Sequence, residues 1–315
     1  MPYFFRLFCF LLLGLSSTTF AQIKPLIESH ELLPLLEQAQ TQTIDIRAPE
    51  AYAAGHIPNA ISAPYGRWRG PANSPGQLAN TATFAALVQE LGLNYDQQLV
   101  VYSTGEDETD FGASARVYWT LKYLGFSQIS VLNGGYKYWQ ALQEHPISQT
   151  KHTPQASQVE VKVQPQLAIL KDEMLDRISQ QSGNYQLLDS RPPAFFKGQV
   201  KAPMATTPGT IAGAQNTPFQ QWFNAGDTRI RSVDEIKKLV QQQGLDQAQE
   251  TLSFCNTGHW AATNWFVLSE LAQLPNVRLY PASMAEWTQS KTALPMDNAP
   301  TRLEQITAKL QQLVK

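Results

Sequence analysis

The stretch IDIRAPEAY at residues 44–52 recurs in the second half of the chain as LLDSRPPAFF at residues 187–196. In both stretches a short apolar run ends in Asp-x-Arg, and an aromatic residue stands five positions after the arginine. Two further pairs of segments match in the same order: GHIPNA (55–60) with GTIAGA (209–214), and VLNGG (131–135) before Trp139 with LYPAS (279–283) before Trp287. Matched segments that keep their order indicate that the chain contains an internal duplication.

Each copy alternates short apolar runs with stretches that have the periodicity of a helix. The predicted elements are, in chain order, a strand at 99–102, a helix at 113–124, strands at 127–132 and 251–254, a helix at 262–272 and a strand at 277–280. Strand–helix–strand alternation is typical of a parallel sheet with helices on both faces. The sequence therefore predicts an α/β fold of two tandem domains, each built in this way.

The predicted domains are residues 22–148 and 167–315, and residues 149–166 are predicted to link them. The chain around this linker is rich in Gln, Pro, Thr and Ser with little apolar periodicity, so we expect part of it to cross a domain surface as a strap. The last segment, 301–315, has Leu and Ile at helical spacing and is predicted to be a helix with one face against the domain.

Residues 1–21 have the features of a cleavable secretory signal peptide. Arg6 precedes an apolar run, and small residues at Thr19 and Ala21 end the segment. An uncleaved anchor helix is the alternative, but the apolar run is shorter than the roughly 20 residues that cross a bilayer. We therefore expect a mature chain that begins at Gln22, lacks Cys9 and lies in the periplasm or outside the cell.

The composition excludes several classes of protein. Hydrophobic residues make up 43% and charged residues 16%, which is typical of a globular protein. With 24 basic and 26 acidic residues, the net charge of −2 provides no basic surface for nucleic acid. Beyond the amino terminus no apolar run is long enough to span a membrane, and no Cys or His cluster has the spacing of a zinc site.

Cys255 is the candidate nucleophile. It directly follows a predicted strand and precedes a short loop and a helix, which is where ligands bind in open α/β sheets. Backbone N–H groups and the positive end of a helix stabilise an anion there and favour the thiolate, the reactive form of cysteine. A buried, inert cysteine is the alternative interpretation. The loop candidates for substrate binding are Asn256, Thr257, Gly258, His259 and Trp260.

These motifs resemble those of the tandem-domain rhodanese family, the thiosulfate and 3-mercaptopyruvate sulfurtransferases. The residues that carry the resemblance are Asp45-x-Arg47, Asp189-x-Arg191, the segments at 55–60 and 131–139, and the loop that Cys255 opens. The resemblance implies a catalytic second domain and a non-catalytic first domain, in which Ser103 stands at the position of Cys255.

The resemblance also implies the reaction. The Cys255 thiolate would take a sulfane sulfur from a small donor to form a persulfide, and a thiol or cyanide acceptor would then remove that sulfur. No metal or organic cofactor is implied. The alternatives are a non-catalytic binding protein of the same fold, a thiol redox sensor, and a cysteine phosphatase. The last of these needs an arginine six residues after the cysteine, where this chain has Ala261.

The sequence departs from the family at two cations. Thiosulfate enzymes carry a basic residue two places after the cysteine and an arginine four places after Asp-x-Arg, where this chain has Thr257 and Phe195. We expect positive charge from other residues instead: His259, Lys197, Lys201 or, across the domain cleft, Arg67 and Arg69. Arg191 is a further cleft candidate, although a structural pair with Asp189 is the alternative.

Three other groups have two interpretations each. His259 could act as a general acid or anion contact, or could face solvent as a polar loop residue. Trp260 could form a pocket wall or simply pack in the core. The acidic run at residues 106–110 is predicted to be solvated, and the alternative is that it discourages anionic donors or contacts a basic partner.

Overall fold

The computed structural model describes residues 23–180, 183–301 and 304. The elements of the first half are β1 (Leu26–Ile27), α1 (Ser29–Leu35), β2 (Thr41–Asp45), α2 (Pro49–Ala54), β3 (Ile61–Ser62), α3 (Thr81–Glu90), β4 (Gln98–Tyr102), α4 (Glu108–Tyr123), β5 (Ile129–Leu132) and α5 (Gly135–Gln140). Those of the second half are α6 (Lys171–Gln180), β6 (Tyr185–Asp189), α7 (Pro193–Phe196), β7 (Thr210–Ile211), β8 (Gln215–Asn216), α8 (Val233–Gln242), β9 (Glu250–Phe254), α9 (Trp260–Trp265), β10 (Val277–Leu279), α10 (Ser283–Thr288) and β11 (Met296–Asp297).

The first domain is built on a parallel sheet with the strand order β1-β5-β4-β2-β3. Its central strand β4 is buried on both faces, because alternate side chains point to opposite sides. Leu99 and Val101 pack in one apolar cluster with α3 and α4, whereas Val100 and Tyr102 pack in another with α1, α2 and α5. The prediction of a parallel sheet covered by helices on both faces is confirmed.

The second domain repeats this plan in the strand order β10-β9-β6-β8, again parallel. An isolated parallel bridge between Ala168 and Leu279 lies where the first domain has β1. The antiparallel pair of β7 and β11 likewise matches the bridge between His56 and Ser148. The duplication is therefore preserved in the hydrogen-bonding pattern as well as in the sequence.

The two domains share one apolar core. Helices α4 and α9 pack against each other between the two sheets, and one hydrophobic cluster contains buried residues of both domains. Aromatic rings meet edge to face across this contact, with the Tyr118 and Phe266 centroids 5.0 Å apart. Tyr118 also donates a hydrogen bond to the Glu270 carboxylate at 2.6 Å. This packing fixes the position of the first domain against the end of α9.

The predicted linker lies along the first domain. Its backbone donates hydrogen bonds from Ser157 to Gln89 at 2.8 Å and from Lys162 to Leu124 at 3.1 Å. Among the described residues, no helix is long and apolar enough to cross a membrane. The predicted signal peptide at 1–21 lies outside the described residues, as does most of the predicted helix at 301–315.

Two predicted helices have different bounds in the structure. Helix α4 begins at Glu108, five residues before the predicted start, because the Asp107 carboxylate caps it by accepting the Asp110 N–H at 2.8 Å. The helix predicted at 262–272 begins at Trp260 and continues beyond α9 as a π-helical segment, Phe266–Leu271.

The two Asp-x-Arg motifs form equivalent buried ion pairs. Arg47 Nη2 lies 2.6 Å from Asp45 Oδ2, and Arg191 Nη2 lies 2.6 Å from Asp189 Oδ2, with all four side chains at most 4% exposed. Each arginine also donates to the carbonyl of the glycine that opens the next matched segment, Gly55 or Gly209, at 2.7 Å. The pairs therefore hold the end of one strand against the turn that follows it.

We expect Asp189→Asn to lower the free energy of unfolding by about 3 kcal/mol or more, because it leaves the buried Arg191 without its counter-ion. Glu90→Gln is the control, because Glu90 and Arg67 form an ion pair whose side chains are 66% and 35% exposed. This control should lose about 1 kcal/mol or less. Chemical denaturation followed by tryptophan fluorescence measures both, and equal losses would contradict the structural role of burial.

Candidate active site

Cys255 lies at the carboxyl end of β9, at the start of the loop before α9. Its side chain is buried, with 1% of the residue exposed. The Cys255 N–H donates to Ser283 Oγ at 3.1 Å, and its carbonyl accepts the Met284 N–H at 3.1 Å. The next carbonyl, of Asn256, accepts the Ala285 N–H at 3.0 Å. The start of α10 thus fixes the backbone on one side of the cysteine.

The loop itself requires a glycine. Gly258 has a φ of 68°, in the left-handed region. A Cβ atom there would also collide with the Pro281 carbonyl oxygen and the Arg116 guanidinium. Within the described residues, the backbone N–H groups of the loop have no hydrogen-bond acceptor; these are the amides of Asn256, Thr257, Gly258, His259 and Trp260. Five unpaired amides next to a cysteine can stabilise an anion on its sulfur.

Two arginines of the first domain contact this loop. Arg69 Nη2 donates to the Thr257 carbonyl at 2.8 Å. Arg116, on α4, donates from Nη1 to the Gly258 carbonyl at 3.1 Å and from Nη2 to the Gly76 carbonyl at 3.3 Å. Sequence reasoning included Arg69 but missed Arg116, whose only signal is a charged residue within the apolar run of a buried helix.

His259 also contacts the first domain. Its Nε2 lies 2.7 Å from the Thr109 carbonyl and so donates, while Nδ1 accepts from the Tyr65 hydroxyl at 2.8 Å. Burial, with added repulsion from Arg69 and Arg116, lowers the pKa of His259 to about 4. The imidazole is therefore neutral at pH 7, so the expectation that it supplies positive charge is wrong. The solvent-facing alternative is also wrong, because both ring nitrogens are hydrogen-bonded.

The remaining second-domain candidates lie beside or beneath the loop. Trp260 stacks on Phe219 with ring centroids 5.0 Å apart, and it packs against the hydrophobic cluster that contains Phe219 and Cys255. Arg191 is 1% exposed and reaches the loop only through Asn256, whose Oδ1 lies 3.4 Å from Arg191 Nη1. The other side-chain nitrogens of Arg191 donate to the Asp189 carboxylate and the Gly209 carbonyl. Arg191 is therefore held in place by the second domain and supports the loop through Asn256.

Three candidate cations have no hydrogen bond to the loop. Arg67 forms an exposed ion pair with Glu90, at 2.6 Å, on the surface of the first domain. Lys201 donates to the Ala205 carbonyl at 2.9 Å, and Lys197 is exposed. The prediction that Arg67 contributes to the site is therefore wrong, and Arg69, two residues later, contacts the loop in its place.

The equivalent loop of the first domain is occupied by a side chain of the protein. The Ser103 carbonyl accepts the Tyr136 N–H at 2.9 Å, as the Cys255 carbonyl accepts that of Met284. Here, however, the Asp110 carboxylate accepts from the Gly105 N–H at 2.5 Å and from the Glu106 N–H at 3.3 Å. Burial raises the pKa of Asp110. This member of the acidic run is bound to the loop, so the prediction that the whole run is solvated is wrong.

The low pKa of His259 makes stability depend on pH. An unfolded histidine binds its proton near pH 6.5, whereas folded His259 binds it only near pH 4. The stability that neutral His259 contributes is therefore complete above about pH 6.5 and is lost as the pH falls towards about 4, by up to about 3 kcal/mol.

We expect chemical denaturation to show that the free energy of unfolding of the wild type falls as the pH is lowered from about 6.5 to about 4. In His259→Gln this dependence on pH should be weaker. His30→Gln, which changes an exposed histidine, is the matched control and should keep the wild-type slope. The same slope in all three proteins would contradict the low pKa of folded His259.

Comparisons with known proteins agree with this architecture. A family model described as Rhodanese-like domain matches residues 28–142 and 171–290. Two bacterial relatives carry the name "Putative thiosulfate sulfurtransferase". The Synechococcus elongatus protein is 29% identical over 85% of this chain and 83% of its own length. The Saccharopolyspora erythraea protein is 32% identical over 79% of this chain and 86% of its own length.

A solved structure shows the same fold. It is that of SseA from Escherichia coli, described as showing the "Rhodanese" fold and catalytic mechanism of 3-mercaptopyruvate sulfotransferases. The two folds match with a TM-score of 0.71 and 24% identity, over 84% of this chain and 100% of that chain. With both domains matched by the family model and relatives similar along most of the length, the chain belongs to the rhodanese family of sulfurtransferases.

Proposed function

We propose that the protein transfers a sulfur atom from a small donor of the thiosulfate or 3-mercaptopyruvate type to a thiol or cyanide acceptor, and that this atom is held in between as the sulfane sulfur of a persulfide on Cys255. The observation that carries the proposal is the position of this thiol. Cys255 is the free cysteine of the described residues, and it opens a loop whose amides are unpaired. At the equivalent position the first domain has a serine and a loop that binds Asp110.

The reaction has two displacements on sulfur. With thiosulfate, the Cys255 thiolate attacks the outer sulfur, a new S–S bond forms, and the donor S–S bond breaks to release sulfite. With cyanide as acceptor, its carbon then attacks the outer sulfur of the persulfide, thiocyanate leaves, and the thiolate is regenerated. Both enzyme intermediates are anions on sulfur, so amides that stabilise one also stabilise the other.

We expect Cys255→Ser to lower sulfur transfer by at least about a thousandfold, because the hydroxyl cannot form the persulfide. Thiosulfate and 3-mercaptopyruvate are each tested with cyanide, measuring thiocyanate. Ser103→Ala is the matched control, since it alters the equivalent position of the first domain and should retain the wild-type rate.

Equal rates for the wild type and Cys255→Ser would contradict the proposal and favour the non-catalytic binding function. No activity of the wild type with either donor would contradict the proposed donor class.

We also propose that residues 1–21 are a signal peptide and that the mature protein acts in the periplasm or outside the cell. The basic residue, short apolar run and small residues before Gln22 support this. Intact-mass measurement of protein purified from the cell envelope should give a chain that begins at Gln22. A chain from the same fraction that still begins at Met1 would contradict cleavage.

A further inference from the structure

We propose that Arg69 and Arg116 of the first domain bind the negatively charged group of the sulfur donor at the Cys255 loop. The active site is then composite, with the nucleophile on one domain and the anion-binding cations on the other. The inference rests on the proposed function for the identity of the anion. It assigns to these two arginines the charge that is missing at Thr257 and Phe195.

Both guanidinium groups lie at the loop and have unused hydrogen-bonding capacity. Arg69 and Arg116 donate to consecutive loop carbonyls, those of Thr257 and Gly258. Arg69 Nη1 and Arg116 Nε are buried and have no hydrogen-bond acceptor among the described residues. A buried donor without an acceptor costs free energy, and an anion brought to the loop would remove that cost.

Neither arginine has a carboxylate partner within ion-pair distance among the described residues. In contrast, the other buried arginines, Arg47 and Arg191, each pair with an aspartate. Burial and the nearby charge of Arg69 lower the pKa of Arg116 to about 9, which still leaves it protonated at pH 7. Arg116 is fully buried and lies close to the half-buried Arg69. Two neighbouring cations with no carboxylate partner are costly unless an anion joins them.

Tyr65 and His259 also face this part of the site, and neither carries a positive charge at pH 7. Tyr65 lies under Arg69, with its ring centroid 5.3 Å from the guanidinium carbon, and burial raises the pKa of its hydroxyl. His259 is neutral at pH 7 because its pKa is about 4. The planar fork of a guanidinium matches a carboxylate or sulfur oxyanion. The site therefore fits a small donor that carries both the transferable sulfur and such an anionic group, as thiosulfate and 3-mercaptopyruvate do.

Alkylation of Cys255 tests this without sulfur transfer. The two reagents are iodoacetate and iodoacetamide, which differ mainly in charge. With either one, the Cys255 thiolate forms an S–C bond and iodide leaves. Because Cys255 is buried, both need the same opening of the site, so the ratio of their rates isolates the effect of charge. We expect Arg69→Gln to lower the iodoacetate-to-iodoacetamide ratio about tenfold, and Arg116→Gln to do the same if it folds.

Two variants serve as controls. Arg69→Lys keeps the charge and should retain most of the ratio, whereas a merely structural role would not distinguish lysine from glutamine. Arg67→Gln removes a nearby cation that pairs with Glu90 and should leave the ratio unchanged.

An unchanged ratio in Arg69→Gln, or an equal fall in Arg67→Gln, would overturn the inference. So would a wild-type Cys255 that reacts with neither reagent before unfolding. A normal ratio pattern in a protein that transfers no sulfur would instead overturn the proposed function alone.

Discussion

The site depends on the packing of α4 against α9, because this contact brings the first domain onto the cysteine loop. The apolar core that the domains share holds the two helices together. It also buries Arg116 completely, with its guanidinium against the Gly258 carbonyl. A cysteine loop in an isolated second domain would lack both Arg69 and Arg116. The first domain therefore contributes to the surroundings of the cysteine loop, even though its own cysteine position holds Ser103.

The duplicated loops differ in the residue that opens them, Ser103 or Cys255, and in what their backbone amides bind. Both loops follow a central parallel strand, and equivalent backbone bonds fix them, from α5 in the first domain and from α10 in the second. In the first domain the amides bind Asp110, so the loop stabilises a carboxylate of the chain itself. In the second domain the corresponding amides follow Cys255 in sequence and have no acceptor in the part of the chain that the structure describes. The fold thus supplies an anion-binding loop twice, and side chains decide what each loop binds.

The sequence was sufficient to predict the parts of the structure that depend on local pattern. The matched Asp-x-Arg segments and the apolar runs predicted two parallel sheets, and the strand before Cys255 predicted the position of the nucleophile. It was not sufficient where distant segments meet. Arg116 carries no motif, and its role arises only because α4 crosses α9. His259 and Arg67 were misjudged for the same reason, since burial and pairing with Glu90 decide their charge and position.

The central claim is that Cys255 carries the transferred sulfur, and mass spectrometry of the donor-treated protein tests it most directly. The reduced protein is incubated with thiosulfate or 3-mercaptopyruvate without an acceptor, then digested under conditions that preserve persulfides. We expect one added sulfur atom on the peptide that contains Cys255, and the loss of that atom when cyanide is added. A peptide of unchanged mass, in a protein that nevertheless produces thiocyanate from the same donor, would contradict the account.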